Sequence, residues 1–245
     1  MQQTDCAFTV VPADSRTLRD CVHRLRYQAY CVENPFEDAT KHPRRLETDE
    51  YDERAVHSLL VHSPTNIPVG CVRLIVHDAS DDEMGPLPIR HACGELDTLD
   101  DLCSPGRRVG EVSRFCLSRE ALGEAQQIVR TEWGVTRVPR AHDSFTATLA
   151  LLSAVVGMSV AEDVSHICAL MAPTLLRLFA GFGLRLAPLG PAVEHHGLRM
   201  PVYSHLGDLL AGARRVRPDA WAVITRNGAL RPTPSMPMPV LEAVA

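Results

Sequence analysis

Residues 55–77 constrain the fold of this chain more than any other stretch. "AVHSLLVHS" and "VGCVRLIVH" are two β-rich runs with "PTNIP" between them, and they read as a β-hairpin. Before them, "CAFTVVP" reads as a short strand and "DSRTLRDCVHRLRYQAY" as a helix. Asp14 or Ser15 can cap that helix, and Leu18, Cys21, Val22, Leu25 and Ala29 form an apolar stripe at helical spacing. After the hairpin come a strand in "GEVSRFCLS", a helix from Arg119, the most apolar helix in "SFTATLALLSAVVGMSV" and a strand in "SHICALMA". "PTLLRLFAGFG" is a helix with Pro in its first turn and Gly at its end. "LRLAPLG" and "MPVYSHL" read as short strands, "LGDLLAGARR" and "DAWAVIT" as short helices. This order fits an α/β (α+β) architecture, a mixed sheet covered by helices. The polar segments Glu33–Arg54 and 78–109 read as loops, and loops of that length in a compact domain are usually functional or disordered. Residues 1–231 are expected to form a single domain and 232–245 a Pro-rich irregular tail.

Composition narrows the function. At 245 residues and 45% hydrophobic, the chain can bury one sizeable core. A net charge of −5 and 5% aromatic residues argue against nucleic-acid binding. The eight cysteines contain no C-x-x-C pair and read as scattered core residues. The start "MQQTDCAFTVV" does not read as a signal peptide, and the apolar run "ATLALLSAVVGMSVA" is interrupted and short for a bilayer. The expectation is a cytoplasmic protein without stable membrane insertion. No G-x-G-x-x-G or G-x-x-x-x-G-K follows a strand, so a nucleotide fold lacks its signature.

Four pieces carry charge where a core is expected. Arg26 and Tyr30 lie one turn apart beside the apolar stripe. "ETDEYD" holds Asp49 and Asp52; Arg73 lies between Val72 and Leu74; Glu111 and Arg114 lie within "GEVSRFCLS". Arg26 alone can be a solvated helix residue, the acidic run an exposed loop, and Glu111 with Arg114 a structural ion pair. Strand alternation puts Arg73 on the face of Cys71 and Ile75, towards an interior or a cleft. Acids and bases on separate elements can satisfy one another in a single cleft, and such clusters hold reacting groups and shift their pKa values. Residues three apart on a regular strand face opposite sides. Glu111 and Arg114 therefore share a face only across a β-bulge, a common feature beside active sites; otherwise Arg114 serves the other face.

"RLRYQAYCVENPFED", "ETDEYDERAVH", "VGCVRL" and "GEVSRFCLS" together resemble the PEP-CTERM/exosortase system-associated acyltransferases, of the N-acyl amino acid synthase and autoinducer synthase group. "GPAVEHHGLRMPVY" and "RPDAWAVIT" are similar to the first of these and not to typical autoinducer synthases. The resemblance runs over roughly residues 8 to 231. It implies a GNAT-like acyltransferase fold, with a mixed, V-splayed sheet flanked by helices. It implies an acyl-phosphopantetheine donor, on acyl carrier protein or coenzyme A, no permanently bound cofactor, and a small amino-acid-like acceptor. "LSREALGEAQQ" is a poor match to the Gly-rich pyrophosphate loop of acetyl-CoA enzymes, which favours the carrier protein.

Carried over by position, Glu111, Ser113 and Arg114 are the catalytic candidates, with Glu111 as general base. Arg26, Tyr30, Phe36, Asp49, Asp52 and Arg73 are the substrate-binding candidates. Arg26 or Arg73 would clamp the acceptor's α-carboxylate. Phe36 stands where autoinducer synthases have Trp, which weighs against S-adenosylmethionine as acceptor. The acyl chain would lie against the helix around Phe145 to Val160, and Arg107, Arg108, Arg119, Arg137 and Arg140 are candidates to receive the carrier protein. Neither the cysteines nor "EHH" at 194–196 forms a close ligand set, so no metal is expected. The alternatives are an autoinducer synthase using S-adenosylmethionine and a catalytically silent acyl-binding module.

Overall fold

A computed structural model describes residues 7–78, 85–94, 96–104, 107–133 and 140–232. One mixed sheet organises them, in the order β1-β2-β3-β4-β5-β8-β6. Its strands are β1 (Phe8–Pro12), β2 (Ala55–His62), β3 (Ile67–Asp78), β4 (Arg108–Leu117), β5 (His166–Met171), β6 (Ala187–Pro188), β7 (Val193–Glu194) and β8 (Leu198–His205). Among the described strands only the β4–β5 pair is parallel. The β2–β3 hairpin expected from the sequence is present, and most of β3 is buried on both faces. That explains why it reads as a nearly unbroken apolar run.

The helices divide between the two faces. On one, α5 (Arg140–Ala161) lays Leu151, Val155 and Val156 against Val72, Leu74 and Val76. The helices α4 (Arg119–Trp133), α6 (Pro173–Gly181), α7 (Leu206–Val216) and α8 (Pro218–Ile224) surround the same core. On the other face, α1 (Arg16–Tyr27) packs Val22 and Leu25 on Leu59 and Cys71, with Ser15 capping it through Leu18 N. Beyond Tyr27 the chain continues as a π-helical turn, Gln28–Glu33. Its last residue reaches α4, where the Glu33 carboxylate accepts from the backbone N–H groups of Arg119 and Glu120. An acid at a helix N-terminus is favoured by the unpaired amides there.

The expectation of one loop over 78–109 is corrected. It holds two short helices, α2 (Ile89–Cys93) and α3 (Asp97–Leu102). Leu87, Ile89, Leu99 and Leu102 bury with Ile75, Val109 and Cys168 as a second core. Each helix is too short to show a helical period, and tertiary packing stabilises them. Helix α5, at 22 residues, is longer than the apolar run suggested. Ser144–Ala161 has the length and composition to cross a membrane, and 61% of that stretch is buried inside this fold. The seven described cysteines are free. Tail residues 233–245 lie outside the described residues, as does Arg137; nothing is described of the Arg140 side chain.

Candidate active site

The site begins with the register between β3 and β4. Cys71 pairs with Cys116, but two residues on, Arg73 pairs with Ser113 three residues back. One extra residue therefore sits in β4, and Arg114 lies there at φ 50°. This is a β-bulge at Arg114–Phe115, opposite Val72; pairing is regular from Glu111 to Ser113, so the bulge expected between Glu111 and Arg114 falls at Arg114 itself, and both residues still line one cleft. A non-glycine residue in the left-handed region is strained, and the charge contacts of Arg114 hold it there.

Three guanidinium groups meet on this face. Arg26 is fully buried because α1 turns the stripe of Val22, Leu25 and Ala29 inward and carries Arg26 with it. It donates to Glu47 and, at 2.5 Å, to Asp52. Arg73, also buried, donates through Nη1 to Asp49 at 2.5 Å and Asp52 at 2.7 Å, and through Nε to Ser113 Oγ at 3.0 Å. Arg114 donates through Nη2 to Glu47 at 2.8 Å, Asp49 at 3.2 Å and Glu37 at 3.3 Å. The acidic loop is locked by its own turns: Asp49 N donates to Asp52, and Tyr51 N to Asp49. Burying these charges is tolerable because each meets opposite charges and hydrogen bonds. Burial alone would raise the Glu47 carboxyl, but its Arg26 hydrogen bond and the charges of Arg26 and Arg114 override this and hold it down at about 2. Asp52 is held well below its usual range, since Arg26 and Arg73 outweigh its burial.

Glu111 contrasts with these acids. It is 4% exposed, and its Oε2 accepts from Ile89 N at 2.8 Å at the start of α2. Burial raises its pKa to about 7, opposed by that hydrogen bond and by the charges of Arg73, Arg54 and Arg114.

All these elements border a cavity of about 440 Å³. One part is polar and aromatic, lined by Tyr30, Phe36, Asp49, Arg73, Ser113 and Arg114, with Glu111 in its wall. The other is apolar, lined by Leu152, Val155 and Val156 of α5 together with Phe179, Leu206 and Leu210. The two parts meet where β4 and β5 separate. Those strands pair only from Val109 to Glu111, and β4 runs on to Leu117 without β5. Past Glu111, backbone groups on that edge of β4 therefore face the gap.

The sequence candidates assemble on one face, but not in equivalent places. Tyr30, Phe36, Asp49, Arg73, Glu111, Ser113 and Arg114 line the cavity; Arg26 and Asp52 lie behind it. Both Arg26 and Arg73, expected to clamp a substrate carboxylate, already hold protein carboxylates. Of the arginines considered for carrier docking, Arg108 is held by the Glu162 carbonyl and Arg119 by Glu33. Sequence reading passed over Glu47, which is 1% exposed and bridges Arg26 and Arg114. It is the first residue of "ETDEYD", and its place in that acidic run was the available signal. It also passed over Glu37 and Arg199 at the cavity wall, and weighed His195 only as a metal ligand. A further cluster, His23, Asp52 and His57, brings three donor atoms within 4.8 Å of one another. Asp52 there already accepts from two guanidinium groups, whose charge opposes a metal cation.

Residues 25–127, from within α1 to within α4, match the family described as the acetyltransferase (GNAT) domain. That stretch contains Arg26, Glu47, Arg73, Glu111 and Arg114. The matched residues thus read as a GNAT acetyltransferase domain, and the enzyme class they support is acyltransferase. No curated protein matches the chain. Among solved structures it is similar in fold to FeeM, an N-acyl amino acid synthase from uncultured soil microbes. The TM-score is 0.57 at 12% identity, over 86% of this chain and 97% of that one. It is similar too to BjaI, a CoA-dependent acyl-homoserine lactone synthase (TM-score 0.54, 21% identity, 91% and 89% covered). A third likeness is to TofI (TM-score 0.55, 16% identity, 87% and 98% covered).

Proposed function

We propose that this acyltransferase moves a fatty acyl group from a phosphopantetheine thioester, on acyl carrier protein or coenzyme A, to the amine of an amino-acid-like acceptor. The observation that carries this reading is Glu111, a buried carboxyl with a pKa near neutrality in the wall of a cavity that is polar on one side and apolar on the other. An amine attacks a thioester only as the free base. Glu111 accepts its proton, directly or through a water, as the amine nitrogen bonds to the carbonyl carbon. The tetrahedral oxyanion is stabilised by backbone N–H groups at the gap between β4 and β5. Its collapse breaks the C–S bond, and the thiolate leaves with the proton that Glu111 returns. General-base catalysis contributes roughly 10²–10⁴ in rate, and is most effective with a pKa near the working pH.

The remaining parts support the same reading. Arg73, Ser113 and Arg114, tied to Asp49 and Glu47, shape the polar wall; the apolar part suits the acyl chain. Phe36 in the place of Trp favours an amino acid over S-adenosylmethionine. FeeM and BjaI, whose folds are similar, act in N-acyl amino acid and acyl-homoserine lactone synthesis respectively. The exosortase-associated branch is carried by the motif set, and an exosortase gene in the neighbourhood is its test.

The experiment is a competition. Purified protein receives an acyl carrier protein donor or the corresponding acyl-CoA, the twenty amino acids and S-adenosylmethionine, with products identified by mass. N-acyl amino acids are expected. Acyl-homoserine lactone as the main product would overturn the acceptor, and an unspent thioester would overturn catalysis.

A further inference from the structure

Arg26, Arg73 and Arg114 each ion-pair with protein carboxylates. Arg199 also lines the cavity, and among the described residues no carboxylate lies within ion-pairing distance of it. Among the described residues its one hydrogen bond is a long one, from Nη1 to the Leu198 carbonyl at 3.4 Å. The other guanidinium N–H groups are left for an incoming group.

The local fold presents this side chain to the cavity. β7 and β8 form a tight hairpin in which Val193 pairs with Arg199 and Glu194 with Leu198. Its three-residue loop, His195–Gly197, turns through positive φ at His196 (51°) and Gly197 (91°). Glu194, the nearest acid in sequence, is occupied by Gly197 N at 2.9 Å. The Arg199 guanidinium lies 5.9 Å from the Phe36 ring centroid, a cation–π contact that restrains it. Phe36 in turn packs on Tyr30 and His196, and His196 lies 3.7 Å from Glu37. His195 lines the same wall, where burial and the nearby His196, Arg114 and Arg199 depress its pKa, so at neutral pH it is an uncharged hydrogen-bonding group.

We infer that Arg199, presented by the β7–β8 hairpin beside His195 and Phe36, holds the carboxylate of the acceptor and selects amino acids over simple amines. The inference rests on the N-acyl transfer proposed above and assigns the carboxylate to a residue other than Arg26 or Arg73. An arginine fork matches a carboxylate with two parallel hydrogen bonds. An amine without the carboxylate gains nothing from Arg199. A hydrogen bond to a charged group is worth roughly 1.5–3 kcal/mol, or about ten- to a hundredfold in selectivity.

The test uses the full chain with a fixed acyl donor. Each of the twenty amino acids is assayed, and for any that is acylated, its decarboxylated amine. Arg199→Gln keeps a planar polar group and removes the charge; Arg199→Lys keeps the charge and removes the fork. In Arg199→Gln, KM for the amino acid should rise with a smaller change in kcat, and the preference for amino acid over amine should fall about ten- to a hundredfold. Arg199→Lys should recover part of it. A thermal melt of each variant separates this from unfolding. A preference that survives intact in Arg199→Gln would overturn this inference alone. Wild-type protein that acylates neither acceptor would overturn both it and the proposed function.

Discussion

The pKa of Glu111 makes a prediction about stability as well as rate. In an unfolded chain the carboxyl titrates at 4.5, and in the folded protein at about 7. Between those values the folded state holds a proton that the unfolded state has lost, so stability falls as pH rises through the window. The loss is fully absent below about pH 4.5 and complete above about pH 7. The difference, 7 − 4.5, is about 2.5 units, and at 1.36 kcal/mol per unit the ionised carboxylate costs on the order of 3 kcal/mol. Glu111→Gln removes that cost, and its amide oxygen can still accept from Ile89 N.

The variant should therefore match wild type near pH 4.5 and exceed it by a margin that grows to pH 7. In a domain of this size, 3 kcal/mol corresponds to roughly 6–12 °C in Tm. The same substitution should slow acyl transfer by about two to four orders of magnitude. Paired thermal melts from pH 4.5 to 8.5 read the first effect, and turnover at saturating donor reads the second. A wild-type-minus-variant Tm difference that stays constant with pH would refute a raised Glu111 pKa. Near-normal turnover would refute its role as base.

Two other outcomes follow from the geometry. Glu47→Ala leaves Arg26 fully buried without one of its carboxylates, and breaking such a pair should cost about 3–5 kcal/mol, read as a lowered urea midpoint; an unchanged midpoint would show that the network adds nothing to stability. Val156→Phe fills the apolar part of the cavity and should shift products to shorter acyl chains; an unchanged product distribution by mass would place the chain elsewhere.

Much of this was legible in the sequence, for identifiable reasons. The hairpin declares itself because β3 is apolar on both faces, and Arg73 stands out within it because a charge there needs a partner. Glu111 stands out for the same reason. The three-residue spacing to Arg114 called for a bulge, and the register shift places one at Arg114 itself. Glu47 was not separable from its acidic neighbours, because composition does not say which acid in a loop turns inward. Helices α2 and α3 were hidden since each is barely a turn long and is held by packing against Ile75 and Cys168. The β7–β8 hairpin rests on two-residue pairings that carry no pattern, so Arg199 and His195 could be placed only in three dimensions.

The arrangement also accounts for why so many charges occupy one face. Two buried glutamates there titrate far apart: Glu47 at about 2, between Arg26 and Arg114, and Glu111 at about 7, bonded to a single backbone amide. An arginine paired directly with Glu111 would draw its pKa down as Arg26 does that of Glu47, and a strongly acidic carboxyl is a poor base. Arg73 and Arg114 are close enough to be felt at Glu111, yet their donors are engaged by Asp49, Asp52, Glu47 and Ser113. On this reading the acidic loop is more than a counterweight to buried arginines. It holds their guanidinium groups in ion pairs away from Glu111, so that burial rather than a direct ion pair sets the pKa of that carboxyl.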